Sequence, residues 1–257
     1  MTIAPPVLLA ASHGTSDPAG RRAVASLVSA VAERRRDLTV VGAFVDVQQP
    51  DVPTALETLA DGTPAVIVPL LLSSGYHVHV DLAEAADEAT RSSPPRPVVV
   101  TSALGPDARL ARILAQRLAA AGIRDEDSVV LAAAGSSDSG AVEDCRVMGA
   151  LLAAELGRPV TVGFLSAAEP RLEQAVERAR TESPDRRVVI ASYLLAPGYF
   201  QSLVYRAGGD VVTDPLLIDG QAPPWELVDV VIDRFVRLCD ERVTEAYQGG
   251  RTNATTW

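Results

Sequence analysis

The sequence predicts an α/β protein of two tandem lobes, each a four-stranded parallel sheet flanked by helices. Short apolar runs alternate with amphipathic helical stretches along the 257 residues, and the same order restarts near the middle of the chain. Continuous apolar runs are typical of parallel strands that helices cover on both faces. A long internal repeat indicates duplicated structural units.

Four apolar runs in the first half predict its strands. They are Val7–Ala11, Val40–Val45, Ala65–Leu72 and Val98–Thr101. Between the first two, Asp17 and Pro18 predict the start of a helix, because proline suits the first helical position. The spacing of Leu27 and Val31 gives this helix an apolar stripe that faces the core.

The second half repeats these features. Gly14 and Gly42 both recur as glycines 121 positions later in the chain. The stretch Leu194–Tyr199 also matches Leu71–Tyr76, and both contain Gly-Tyr after an apolar strand. Two equal offsets are not expected from a chance recurrence of α/β patterns, so the sequence predicts a tandem duplication.

Composition excludes several classes of function. The net charge of −10 argues against nucleic acid and anionic membranes as partners, and no apolar run approaches the roughly 18 residues of a membrane helix. All 23 basic residues are arginines, so the chain lacks a lysine for a Schiff base or for an ATP-binding P-loop. Cys145 and Cys239 lie far apart, which favours reduced cysteines in a cytoplasmic protein.

The three histidines of the chain all follow predicted strands. His13 comes after the first strand, and His77 and His79 come after the third. In a parallel sheet of order 2-1-3-4, ligands bind between strands one and three, where the strand order reverses. The surrounding residues are small and polar, which leaves room for a large ligand; they are Ser12, Gly14, Thr15, Ser73, Ser74 and Gly75. A single histidine is more often structural, but this shared placement favours a ligand site.

Imidazole groups suit iron, cobalt, nickel and zinc ions. A structural zinc site normally closes with four ligands, and these histidines have no acid pair nearby in the sequence. The pattern therefore favours an open site that holds a metal ion transiently.

These motifs resemble the class II tetrapyrrole chelatases of the sirohydrochlorin chelatase (CbiX/SirB) family. The likeness rests on Leu9–Thr15, with the sequence LAASHGT, and on Val68–Asp81, with the sequence VPLLLSSGYHVHVD. It covers essentially the whole chain. The resemblance implies two flavodoxin-like lobes that enclose a cleft.

The resemblance also implies an activity. The protein would insert a divalent ion, Fe²⁺, Co²⁺ or Ni²⁺, into sirohydrochlorin without ATP, in siroheme or cobalamin-type tetrapyrrole biosynthesis. The metal ion is then a substrate, and no cofactor is bound permanently. The tetrapyrrole is the expected partner of a cytoplasmic monomer or homodimer.

By the same resemblance, His13 and His77 handle the metal and carry catalysis, and His79 is a further candidate ligand. Asp46 lies where such proteins carry an acidic residue near the cleft; a solvated acid at a strand end is the alternative. Asp81 either orients a histidine or caps the helix that follows, and the cap is the favoured interpretation. The expected substrate contacts of the first half are the six small residues around the histidines and Tyr76.

The second half departs from the motifs. Ala134, Phe200 and Ser202 stand where the first half has its three histidines. We therefore expect a catalytic lobe over residues 1–125, a degenerate lobe that forms a wall or lid over 126–245, and a disordered tail over 246–257. Tyr199, Phe200 and Arg206 either contact the macrocycle or pack between the lobes.

Two points stay open at this stage. Substrate carboxylates have four candidate partners, which are Arg21, Arg22, Arg91 and Arg206. The alternatives to a sirohydrochlorin chelatase are a non-catalytic carrier of tetrapyrrole or metal, and a chelatase for a less carboxylated porphyrin such as coproporphyrin.

Overall fold

The computed structural model describes residues 5–73, 75–93 and 95–252, and for residues 76–79 and 240–252 it describes the backbone alone. The elements of the first half are β1 (Val7–Ser12), α1 (Pro18–Arg34), β2 (Val40–Phe44), α2 (Val52–Glu57), β3 (Ala65–Pro69), α3 (Tyr76–Arg91), β4 (Val98–Val100) and α4 (Ala108–Ala120). Those of the second half are β5 (Ser128–Ala133), α5 (Ser139–Leu156), β6 (Val160–Phe164), α6 (Leu172–Glu182), β7 (Val188–Tyr193), α7 (Tyr199–Arg206), β8 (Val211–Val212) and α8 (Trp225–Thr252).

Each half forms its own four-stranded sheet. The strand orders are β2-β1-β3-β4 and β6-β5-β7-β8, and all paired strands run parallel. The predicted α/β class and the two lobes are therefore confirmed, and both sheets have the 2-1-3-4 order on which the expected position of the ligand site depends. The third strand is shorter than predicted, because β3 ends at Pro69 and Leu70–Leu72 form a loop.

Helix α1 begins where the sequence predicts. Pro18 is its first residue, and the Asp17 carboxylate accepts hydrogen bonds from the backbone amides of Ala19 and Gly20 at 2.8 and 3.0 Å. These bonds satisfy two of the amides that every helix start leaves without an intrahelical partner. The helix buries Leu27 on its core face.

The sheet registers confirm the duplication but change one of its offsets. Ser12 pairs with Phe44 in the first sheet, and Ala133 pairs with Phe164 in the second. Thus β1 and β5 correspond at 121 positions, whereas β2 and β6 correspond at 120. The segment between the two strands is one residue shorter in the second lobe.

The equivalence of Gly42 and Gly163 is therefore wrong by one residue. A Cβ at Gly42 would lie 3.7 Å from Val28 of α1, whereas a Cβ at Gly163 would meet Leu172 and Ala175 of α6. The two glycines face opposite sides of their sheets, since a shift of one residue along a strand moves a side chain to the other face. Equal sequence offsets did not mark equivalent positions here.

The lobes exchange their last helices. Helix α4 of the first half packs against α5 and β7, and α8 of the second half packs against α1 and β3. The Arg234 guanidinium of α8 donates hydrogen bonds to the carbonyls of Ala103 and Leu104, both at 2.8 Å. One apolar core consequently includes buried residues from both halves.

Helix α8 continues to Thr252, through the first part of the segment for which the sequence predicts a disordered tail. Residues 253–257 lie outside the described part of the chain. Within that described part, no helix has both the length and the apolar character needed to cross a bilayer.

Candidate functional site

A cleft of about 580 Å³ lies between the two lobes. Most of its wall is formed by the ends of β1, β3, β5 and β7 and the segments that follow them, where ligands of parallel α/β sheets bind. The predicted site residues found on these walls are Ser12, His13, Gly14, Thr15, Ser73, Gly75, Tyr199 and Phe200. The structure thus brings residues from distant parts of the sequence to one cavity.

His13 lies on the loop between β1 and α1, with an exposed side chain on the cleft wall. Its carbonyl accepts a hydrogen bond from the Asp46 amide at 3.0 Å, which holds the backbone in place. Among the described residues, no side chain hydrogen-bonds to its imidazole. The ring is therefore available to a metal ion or a proton.

Gly14 holds this loop against the loop that follows β2. Its φ is +92°, and a Cβ at this position would collide with the Asp46 carbonyl oxygen. Residues with a Cβ are strained at such a φ, and the contact leaves no room for one. The next residue, Thr15, donates its amide to Gln48 Oε1 at 2.9 Å. The backbone on the C-terminal side of His13 is thus fixed at two points.

His77 and His79 lie in the first turn of helix α3, not in a loop. The helix begins at Tyr76, and Gly75 is its N-cap. Ser74 and the side chains of residues 76–79 lie outside the described residues, so the roles assigned to them stay predictions.

The expectation that Asp81 caps this helix is wrong. Asp81 is an exposed residue in the second turn of α3, because the helix begins at Tyr76, directly after Gly75. An N-cap side chain must precede the first helical residue to reach the first free amides. The apolar and aromatic residues around the two histidines belong to the helix itself.

Asp46 approaches His13 through its main chain alone. Its exposed carboxylate accepts a hydrogen bond from the Val47 amide at 2.7 Å, and the residue is not part of the cleft wall. This geometry fits the alternative interpretation of Asp46, which is that of a solvated acid at a strand end. The role of Asp46 as a metal ligand stays a prediction.

The described cleft wall contains no aspartate, glutamate or arginine side chain. This is notable in a chain with a net charge of −10. The residues just before α1 and α5 also belong to the wall, and the first free amides of these two helices are already bound by the Asp17 and Asp138 carboxylates. A polyanionic ligand therefore meets no carboxylate on the described wall.

Arg206 does not belong to this wall. It is exposed in the last turn of α7, and its Nη2 lies 3.4 Å from Ser202 Oγ. Its predicted contact with the macrocycle stays a prediction, without support from its position.

The second lobe gives the cleft an apolar wall. Ala134 occupies the position equivalent to His13 and also lines the cleft. Tyr199 and Phe200 begin α7, with exposed fractions of 70% and 39% and their rings in an edge-to-face contact at 5.9 Å. Exposed aromatic rings on a cleft wall suit a flat, largely apolar ligand.

Sequence reasoning missed several cleft residues, among them Val47, Gln48, Cys145 and Tyr193. The Tyr193 hydroxyl donates a hydrogen bond to the Leu72 carbonyl at 2.8 Å and so joins the two lobes. Burial raises the pKa of Tyr193 well above its usual value. Burial also raises the pKa of the Cys145 thiol to about 11, which keeps it protonated near neutral pH.

One signal for two of these residues was present in the repeat. Cys145 lies 121 positions after Val24, which also lines the cleft. Tyr193 lies 123 positions after Leu70, which is the offset between the matched stretches Leu71–Tyr76 and Leu194–Tyr199. Both counterparts belong to the first lobe, where the sequence already placed the cleft.

The described residues include no group of three or more His, Cys, Asp or Glu side chains that could hold a metal ion. His13 is the one imidazole of the described wall, since the side chains of His77 and His79 fall outside it. Stable metal centres normally use four ligands. The described residues alone therefore do not build a resident metal centre.

A protein-family comparison matches the chain to the family described as CbiX, over residues 7–121 and 128–205. A sirohydrochlorin ferrochelatase of Priestia megaterium is 27% identical over 176 residues, which are 66% of this chain and 66% of that protein. A sirohydrochlorin cobaltochelatase of Methanococcoides burtonii is 29% identical over 82 residues, 30% of this chain and 60% of that protein. The matched segments thus span just under two thirds of these curated relatives.

Solved structures share the fold. SirB from Bacillus subtilis with Fe3+ superposes with a TM-score of 0.76 at 20% identity, over 90% of this chain and 94% of that one. A CbiX structure, described as the terminal enzyme for biosynthesis of siroheme in denitrifying bacteria, has a TM-score of 0.60 at 23% identity. That match covers 89% of this chain and 99% of the other. The two-lobe arrangement is therefore shared along nearly the full length.

Proposed function

Because the chain belongs to the CbiX family, we propose that it inserts a divalent metal ion into sirohydrochlorin without ATP. One observation carries the proposal: His13 lies on the wall of a cleft between two lobes, and the described residues of that wall include no carboxylate. Sirohydrochlorin is a flat ring with acidic side arms, and this cleft offers apolar and aromatic walls without a described acid to repel those arms. The cavity size also falls within the range of small-molecule sites, about 300–1,000 Å³.

Insertion requires two events at the centre of the ring. The metal ion must lose water, and two pyrrole N–H protons must leave. A neutral imidazole can ligate the ion or accept a proton, and His13 has no competing hydrogen bond from the described residues. The fixed loop around Gly14 positions this group before the ligand arrives.

The repeat supports His77, rather than His79, as the partner of His13. In α7, Phe200 lines the cleft, whereas Ser202 is exposed and donates its hydroxyl to the Tyr199 carbonyl. These two residues are the repeat counterparts of positions 77 and 79. Residues two apart in a helix do not share a face, so position 77 is the one whose counterpart faces the cleft.

The two lobes then have different tasks. The first lobe supplies the histidines, and the second supplies a wall with Ala134 and Phe200 at the matching positions. Such a wall covers the ring without adding a second ligand set, and it limits access of water. We assign catalysis to the 1–125 lobe and the covering role to the 126–245 lobe, with α4 and α8 joining them.

In this proposal the metal ion is a substrate, and no permanently bound cofactor takes part. Fe²⁺, Co²⁺ and Ni²⁺ are the candidate ions, because imidazole suits all three. The tetrapyrrole is the partner, the chain acts as a monomer or homodimer, and the cytoplasm is the expected compartment.

An anaerobic assay with the purified full chain tests the proposal. Metal-free sirohydrochlorin is mixed with each ion, with and without catalytic amounts of protein, and insertion is followed by absorbance. We expect at least one ion to be inserted over many turnovers. Tight binding of sirohydrochlorin without turnover would instead identify a carrier, and faster turnover of coproporphyrin would reassign the substrate.

A further inference from the structure

A second cavity of about 460 Å³ adjoins the cleft on the first lobe. It lies between α1 and the edge strand β2, and its wall shares Ser12, Val24 and Gln48 with the cleft. Arg21 and Arg22 also line this cavity. An apolar side cavity with cations beside it suits an aliphatic arm that ends in an acid.

Three of the four candidate arginines are poorly placed for such an arm. Arg22 forms a salt bridge with Asp219 of the second lobe. Arg91, at the end of α3, lines a separate surface cavity, and Arg206 lies outside the cleft wall. The remaining candidate is Arg21.

Arg21 is held at the junction of the two cavities. Its Nε donates a hydrogen bond to the Thr15 carbonyl at 2.8 Å, and Thr15 itself lines the cleft. Within the described residues, the two terminal nitrogens have no carboxylate partner. The Asp17 carboxylate nearby accepts hydrogen bonds from the amides of Ala19 and Gly20 at the start of α1.

A guanidinium anchored through Nε still presents its two terminal nitrogens side by side. That edge matches the two oxygens of a carboxylate and can donate two parallel hydrogen bonds. The anchor also lowers the conformational entropy that the side chain loses on binding. Arg21 therefore has the charge, the free donors and the fixed position that a carboxylate receptor requires.

We propose that Arg21 binds one carboxylate arm of the tetrapyrrole, with the aliphatic part of the arm in the side cavity. This inference rests on the proposed function, because it takes the ring to be in the cleft. It makes Arg21 a specificity-determining residue for acidic side arms, distinct from the metal-handling histidines.

The test compares the full-length protein, Arg21→Gln and the matched control Arg91→Gln, which removes the same charge far from the cleft. Metal-free sirohydrochlorin and its octamethyl ester are titrated in the same mild detergent buffer, and dissociation constants are measured from ligand fluorescence. For the acid, Arg21→Gln should weaken binding by about 5- to 10-fold, as expected for a lost charge-assisted hydrogen bond at an exposed site. Binding of the ester should be unchanged, and the control should bind both ligands normally.

Each other result has a clear meaning. Equal weakening of acid and ester would show that Arg21 acts only by holding the Thr15 loop, and unchanged binding of the acid would show that it makes no contact; either result overturns the inference. If the unmodified protein bound neither ligand, the proposed function itself would fail, together with this assignment. Since the assay needs no metal, these results do not depend on catalysis.

Discussion

The hydrogen bond between Tyr193 and Leu72 offers a quantitative test of how the lobes are joined. The Tyr193 ring is buried, and its hydroxyl donates to the Leu72 carbonyl at 2.8 Å. Tyr193→Phe removes the hydroxyl and keeps the ring. A net hydrogen bond is worth about 0.5–1.5 kcal/mol, and an acceptor left without a partner adds to the loss. Because Leu72 is only half-buried, water can replace part of the bond, and we expect a loss of about 1–2 kcal/mol.

For a chain of this size, such a loss lowers Tm by about 2–8 °C. Thermal unfolding followed by circular dichroism measures it, with Tyr199→Phe as the matched control. The Tyr199 side chain is 70% exposed, so its hydroxyl should contribute nothing measurable. An unchanged Tm for Tyr193→Phe would refute the inference that this bond stabilises the lobe interface, as would equal losses for both variants.

Three further predictions concern the cleft. Gly14→Ala should lower the free energy of unfolding by about 2 kcal/mol or more and impair activity, because a Cβ would meet the Asp46 carbonyl. The control Gly62→Ala has a φ of +71° but open space around it, and it should lower the free energy of unfolding by only about 1 kcal/mol. Equal losses of the two variants in urea unfolding would contradict the steric argument. Burial raises the Cys145 pKa from 9.0 to about 11. Above pH 9 the thiol therefore loses its proton in the unfolded chain and keeps it in the folded protein. Between pH 9 and pH 11 this difference lowers the free energy of unfolding by about 1.4 kcal/mol per pH unit. Urea unfolding from pH 8 to 11 should therefore show the stability of Cys145→Ala approaching that of the unmodified protein, and a constant difference would argue against the shift. His77→Ala should reduce metal insertion more than His79→Ala, and a greater loss at His79 would reverse the assignment.

The sequence predicted the parallel strands and the two lobes well, because continuous apolar runs, the cap at Asp17 and the restart of the pattern are local features that each half carries. The strand order is not a local feature, and it was assumed from the general architecture of such sheets. The helix start at Tyr76 was harder to predict. No side-chain cap marks it, since the N-cap is Gly75 and makes no side-chain hydrogen bond, and the favoured cap, Asp81, lies inside the helix.

Contacts between the lobes were not predictable from these patterns. The amphipathic faces of α4 and α8 indicate that each helix is buried, but not against which lobe. The same limit applies to Tyr193, which looks like an ordinary strand-end aromatic in the sequence. Because one core joins the two lobes, a chain cut after residue 125 would expose apolar surface. Point substitutions in the full chain therefore test the separate roles of the two lobes better than such a truncation does.

The side cavity shows what the structure adds to the choice among arginines. Charge and residue type left four candidates equal. Their hydrogen bonds and positions separate them, because Arg22 is paired across the lobes whereas Arg21 is anchored beside the cleft. The sequence had no signal for this distinction, since Asp219 lies far from both residues along the chain.

The insertion rate of His13→Ala tests the central claim most directly. The measurement is the single-turnover rate of metal insertion into sirohydrochlorin under anaerobic conditions, with Arg91→Gln, a change outside the cleft wall, as control. His13 is exposed and its side chain makes no described hydrogen bond, so the variant should fold with an unchanged Tm. Loss of a group that transfers protons lowers rates by about 100-fold or more, and we expect at least that loss for His13→Ala and a normal rate for the control. A rate for His13→Ala close to that of the unmodified protein would contradict the account.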